Sequence, residues 1–441
     1  MNIQSIRTTQ KRTLGNAIVA VVLFAGLGIA LLQGTHAATY SKAAEAESGT
    51  LAGAYESVQD TAASGGRAIR FGASQPTGYV VQLTDFGAAC NGTANDQPAL
   101  QKAINDVQSK GGGTIMVPAR TCRIQQTGGV VSTAIGGNGV AIKGASLAST
   151  LAMDTDSPGS YRDLFRIEGA ANVSFDTLTI KRLNNAYVVL FNLLSVNGLT
   201  MNNIVVDGQK MTEGNDVHGI AILNSANATV KNVTMTGTTW KNMDFGMFQS
   251  SDSPVTVDGW TVDNSTFEGN WDDDLEFNAP NSSMSNINVL NSTFTNNRAT
   301  DPSAPSGFAI GFANVRTGSM KNNTISGYRF DPIHIEDRSA NITVQGNKVS
   351  NSFTNGQTSY ASHVFIISGS HDVTITGNEF DTSANTNSID VIYVGPGGSP
   401  SQPYNISITG NTFKLRPNAK LLGNYGSQNT TQSNNTVVNL P

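Results

Sequence analysis

The chain has 441 residues, more than one compact core normally holds, so it is either several domains or an elongated repeat. Charged residues make up only 13% and glycines number 45, which disfavours long charged amphipathic helices and favours strands joined by many turns. The net charge of −5, the pI near 5.5 and the lack of any Lys/Arg run beyond the N-terminus exclude the electrostatic footprint of a nucleic-acid binder.

Taken in chain order, residues 1–37 have the pattern of an export signal. Arg7, Lys11 and Arg12 precede an apolar stretch from Ala17 to Leu32, and Thr35 and Ala37 supply small residues for cleavage before Ala38. The alternative is an uncleaved anchor, because the stretch is only slightly shorter than a membrane span. Either way the body is expected outside the cytoplasm, secreted or at the cell surface.

Residues 38–78 contain Ala44–Leu51 and Ala63–Phe71, which resemble the opening strands of carbohydrate-binding β-sandwich modules. About forty residues cannot bury a sandwich core alone, so a stalk or a small hairpin is expected here.

From residue 79 to the end the chain is expected to be all-β. A strand from Val80 to Phe86 leads through a loop to a helix with Pro98 in its first turn. That helix carries an apolar stripe of Ala99, Leu100, Ala103, Ile104 and Val107, and stops at Gly111–Gly113. The strand Thr114–Pro118 follows. Cys90 and Cys122 flank the helix, and in an oxidising compartment such a pair is expected as a disulfide rather than as free thiols or metal ligands. This opening resembles the rhamnogalacturonase/epimerase-like pectate lyase domains, with Phe86-Gly-Ala88, the loop ending at Asp96, the helix and Gly111-Gly-Gly-Thr114 before Val117-Pro118. The resemblance implies a right-handed parallel β-helix of the pectin-lyase type, with the helix covering the first coil, whose strand edge would otherwise lie open.

A repeat runs through the rest. Apolar residues recur at Ile180, Val206, Met235, Phe267, Phe294, Ile325, Val349, Phe380, Phe413 and Val437, at intervals of 24 to 33 residues. Five residues earlier stand Phe175, Met201, Val230, Val262, Val289, Met320, Val344, Ile375 and Ile408, and then Gln432, which breaks the column. Between the two columns lies a turn position held by Thr177, by Asn203, Asn232, Asn264, Asn291 and Asn322, by Gly346, Gly377 and Gly410, and by Asn434. Asn and Gly tolerate left-handed backbone, so this column is structural, and stacked Asn side chains can form amide ladders. With Val140–Ile142 and Leu164–Ile167 counted as two earlier coils, about twelve coils are expected.

A second strand precedes the turn motif in each coil, and strand residues alternate faces. With Leu275, Phe277, Ile333 and Ile335 inside, Asp274, Glu276, His334 and Glu336 are expected to face solvent. Coils about 4.8 Å apart can hold two carboxyl groups at the roughly 5 to 9.5 Å that glycoside hydrolysis requires. Asn242-Met-Asp244 and Asp272-Asp273, followed by Asn278, resemble the first two motifs of the polygalacturonase-type glycoside hydrolases. That resemblance implies Asp244, Asp272 and Asp273 as the acid/base group. The Gly-His-Gly and Arg-Ile-Lys motifs of that family are replaced by Pro305-Ser-Gly307 and His334-Ile-Glu336. A face bearing Asp244, Asp272, Asp273, Asp274, Glu276 and Glu336 repels a polyanion, so a neutral glycan fits better than galacturonan, unless calcium bridges the charges.

Trp271, Trp240 and Tyr328 are candidates for stacking on sugar rings, and His218 and His334 lie near the same face. No cofactor is required by this chemistry and calcium is the cation it would tolerate. The acid cluster also has a bland reading, a solvated edge or an opportunistic calcium site. The leading expectation is an exported polysaccharide hydrolase acting as a monomer. A polysaccharide lyase using Arg298, Arg329 or Arg338, and a noncatalytic glycan-binding adhesin, are the alternatives.

Overall fold

In the computed structural model the described residues are 55–59, 67–71 and 78–441, apart from 128–131, 156–161, 185–187, 209–216, 224, 237–246, 250–255, 269–272, 279–282, 297–306, 329–330, 353–361, 386–387 and 400. The chain divides into two units, Met1–Gly72 and Ala73–Pro441. In the first, Tyr55–Gln59 and Arg67–Phe71 pair antiparallel as a two-stranded ribbon. The expected export signal, residues 1–37, lies outside the described residues. Among the described residues, no helix is long and apolar enough to cross a membrane.

The second unit is a parallel β-solenoid. Its opening strand is shorter than expected, Val80–Gln82, and passes into a single 3-10 turn, Leu83–Phe86. Helix α1, Gln97–Ser109, buries Ala99, Leu100, Ala103, Ile104 and Val107, and of its polar residues only Gln97, in the first turn, is buried with them. Cys90 and Cys122 are joined by a disulfide across its start. The buried Asp96 carboxylate accepts backbone N–H groups from Ala89 at 2.7 Å and from Cys90 and Arg123 at 3.2 Å each, which locks the loop that introduces the helix.

Two sheets make up the coils. One bends at the turn column: Ala171–Arg182, Asn197–Asp207 and Ala228–Thr236 run through the bend, and later coils break there into two short strands. Thr177, Asn203, Asn232, Asn264, Asn291, Asn322 and Asn434 all sit at φ between 47° and 56°, and Gly346, Gly377 and Gly410 at 65° to 67°. The left-handed turn expected at every one of these positions is therefore present, and it explains the residue types directly. The two apolar columns face inward and stack rung on rung, for example Ile180 on Val206, Phe267 on Phe294 and Phe380 on Phe413.

The longest amide ladder is one residue beyond the turn column. Asn323, Asn347, Asn378 and Asn411 each donate from Nδ2 to the Oδ1 of the next, ending at Asn435, at 2.9 to 3.1 Å. The same Oδ1 atoms accept the backbone N–H of the preceding coil's Asn, so buried turns with otherwise unpaired groups are satisfied by side chains of their own column.

Among the described residues the other sheet has eleven parallel strands, from Ser132–Ile135 to Ala419–Asn424. Eleven rungs, against about twelve expected, follow from the coil path. Val140–Gly144, Thr150–Thr155 and Arg162–Glu168 follow one another within a single turn before the bend at Thr177, so the two segments counted as separate coils belong to one.

Candidate active site

The eleven-stranded sheet brings the expected site residues onto successive rungs. Leu275, Phe277, Ile333 and Ile335 are fully buried, so the residues between them face outward, as alternation requires. One outward column runs Glu276, Gly311, His334, Phe365, Tyr393, Gly423, and beside it runs Asn278, Ala313, Glu336. Glu276 and His334 are thus two rungs apart with a glycine between them.

His334 is clamped. Its Nδ1 lies 3.5 Å from the Asp331 carboxylate and its Nε2 lies 3.4 Å from the Glu336 carboxylate. Burial works against the imidazolium, but these two carboxylates outweigh it and hold the His334 pKa up to about 10. The Glu336 carboxyl resists the effect of burial because His334 keeps it below the usual range. Asp331 is raised by burial, although His334 and the Ser362 hydroxyl, which donates to it at 3.2 Å, draw it down.

Glu276 is the opposite case. Burial pushes its carboxyl up to about 7, the Glu336 charge adds to the rise, and the Asn278 amide, donating at 3.0 Å, opposes it. One face therefore carries a carboxyl that is half protonated near neutrality and a second that is ionised, with an imidazolium between them. Environments that push two carboxyl groups apart are the physical signature of an acid and a base.

Three expectations, for Asp274, Tyr328 and Asp273, need correction. Asp274 is not on the outer face: at 1% exposure it lies inside, because the strand starts only at Leu275 and alternation does not yet apply. Tyr328 is fully buried and donates its hydroxyl to Asp274, so its ring is not available to a sugar. Asp273 is also buried, and its carboxylate accepts the Phe308 N–H at 2.9 Å while the Asp274 N–H donates to the Phe308 carbonyl at 3.0 Å. These bonds fix Phe308 over the rung of Gly311, where even a methyl group would overlap the ring.

Asp244, Asp272, Trp271, Trp240, Arg298 and Arg329 lie outside the described residues, as does the side chain of His218. Arg338 is exposed at the turn after Glu336, where its carbonyl accepts Arg316 Nη1 at 2.8 Å. Four site residues escaped the sequence reading: Asp331, Ser362, Phe308 and Phe365. Asp331 carried a usable signal, since it stands three residues before His334 at the entry of the same strand.

The family model described as a right handed beta helix region matches residues 163–349. Over 49 residues, 11% of this chain, the sequence is 43% identical to mannuronan C5-epimerase AlgE1 of Azotobacter vinelandii, and the match spans 4% of that protein's length. Among solved structures, ORF18 of Geobacillus virus E2 aligns with a TM-score of 0.52 at 14% identity, covering 82% of this chain and 62% of that one. The DFA-IIIase of Arthrobacter chlorophenolicus A6 in complex with GF2 gives 0.51 at 11% identity, covering 79% and 86%. At such identities the likeness is one of fold. The chain is a right-handed parallel β-helix protein.

Proposed function

We propose that the protein is an exported carbohydrate-active β-helix, and that it hydrolyses a neutral polysaccharide at Glu276. The observation that carries this reading is the pair of outward carboxyl groups whose affinities for a proton are driven in opposite directions by burial and by His334. Glu276, still protonated near pH 7, gives its proton to the leaving glycosidic oxygen. Glu336, kept ionised, takes a proton from the attacking water. His334 and Asp331 hold Glu336 in place and touch no substrate atom themselves.

Glu276 and Glu336 stand two rungs apart, about 10 Å along the axis, and on neighbouring outward columns, so they are spaced more widely than the roughly 5 Å of retaining enzymes. Inversion of the anomeric centre is therefore the expected stereochemistry. Asp272 and Asp244 are further candidates for assisting groups by their sequence motifs alone. The only cation among the described groups of the cluster is His334, already flanked by two carboxylates, so a polyanionic substrate would need bridging calcium and a neutral one would not.

Glu276→Gln should lower release of reducing ends by at least about 100-fold, as loss of a general acid does. In the unmodified protein the rate should fall as pH rises through about 7, since the acid form of Glu276 is the active one and its pKa lies there. Unchanged turnover in Glu276→Gln would sink the assignment. The short stretch that is 43% identical to a mannuronan C5-epimerase favours a second reading, proton abstraction from a uronate, ending in epimerisation or elimination. An unsaturated product end, or an inverted C5 with no chain cleavage, would identify that chemistry.

A further inference from the structure

The outer column that carries Glu276 and His334 continues as a ladder of aromatic rings towards the C-terminal end of the solenoid. Phe308 and His334 have ring centroids 5.2 Å apart, His334 and Phe365 5.2 Å, Phe365 and Tyr393 4.6 Å, and Tyr393 and Tyr425 4.9 Å. Only His334, Phe365 and Tyr393 belong to the column by register. At both ends the column residue is a glycine, and an off-column ring lies over it: Phe308, three residues before Gly311, and Tyr425, two residues after Gly423. The ladder thus crosses five rungs without a gap.

The rings differ in what they show to solvent. Phe365 is 6% exposed and closed in by its neighbours, whereas Tyr425 is 50% exposed. One face of Tyr425 stacks on Tyr393, and its hydroxyl donates to Asp390 at 2.6 Å, which fixes the ring. Among the described residues no further rung of this sheet lies beyond Ala419–Asn424, and the half-exposed Tyr425 ring is the last of the ladder. An exposed, immobilised aromatic face beside a carboxylate is the chemistry that recognises a sugar, through apolar C–H contact on the ring and a hydroxyl donated to the acid.

We infer that Tyr425 and Asp390 form a distal sugar subsite, and that the substrate is a polymer spanning from Glu276 to the C-terminal end of the solenoid. Tyr425 stands three rungs beyond His334, about 14 Å, a distance that several linked sugar rings cover and a disaccharide does not. The inference rests on the reading of this face as a polysaccharide site and adds where the chain lies.

Calorimetric titration of the full chain carrying Glu276→Gln with gluco-, manno- and xylo-oligosaccharides, two and six units long, tests it. A hexaose should bind about 5- to 10-fold tighter than its dimer, the order expected for one aromatic contact. Tyr425→Ala should remove that gain and leave dimer binding unchanged, while Tyr425→Phe should keep most of it. Equal binding of both lengths, binding of neither, or a gain that survives Tyr425→Ala overturns the inference. If the unmodified protein cleaves nothing but the length-dependent gain and its loss are seen, the hydrolase assignment falls and the subsite stands; cleavage without length dependence has the reverse meaning.

Discussion

The two ends of the solenoid solve the same problem differently. At the N-terminal end the first coil would expose apolar side chains and an unpaired strand edge, and α1 covers them with Leu100, Ile104 and Val107, all fully buried. At the C-terminal end there is no such cover among the described residues. There the inward positions themselves change: Asn424 stands in register with Val394, Thr430 with Ile406, Gln432 with Ile408 and Asn439 with Leu415. One end is sealed by adding apolar surface, the other is made tolerable by removing it. Sealing concentrates stability in a few residues, whereas polar substitution leaves a last coil that contributes little.

The sharpest way to break that comparison is a truncation in the cap. Leu100→Ala should cost about 2–5 kcal/mol in denaturant unfolding, because it opens a cavity where α1 meets the first coil. Reducing the Cys90–Cys122 disulfide should cost about 2–4 kcal/mol, since it releases a loop spanning 32 residues in the unfolded chain, and the loss of hydrogen-exchange protection should be confined to the first coils. Asn378→Ala, in the middle of the amide ladder, should cost about 1–3 kcal/mol by stranding the buried Asn347 N–H and interrupting the chain of amides. Val437→Ala, a change at the open end, should shift the midpoint by less than about 0.5 kcal/mol. A cost at Val437 equal to that at Leu100 would show that something covers the C-terminal coil after all.

Much of this was legible in the sequence, for physical reasons that differ by residue. The turn column was readable because left-handed backbone favours Asn and Gly, with Thr177 the one exception in the column, and the inward columns because burial favours apolar side chains. Gln432 announced the end of the core by breaking its column. The buried ladder at Asn323, Asn347, Asn378 and Asn411 was missed because two adjacent columns rich in Asn look alike when only one is given a role. Alternation placed Glu276, His334 and Glu336 outside, yet failed at Asp274, which precedes the strand. The clamp on His334 was not legible, since it depends on Asp331 reaching the ring from the loop before the strand. Nor was the aromatic ladder, two of whose rings come from positions off the outward register.

The strict pairing of rungs turns the outer face into a ruler with fixed divisions. Groups on one column are separated along the axis by whole multiples of about 4.8 Å, and no substitution in a strand changes the multiple. Bringing Glu336 one division nearer to Glu276 would require excising the coil that contains Gly311, not a point mutation. Fine adjustment is left to side-chain length and to the loops that lean over the strands. In such a frame, a change of reaction or of substrate is made in discrete steps along the axis, and the loops interpolate between them.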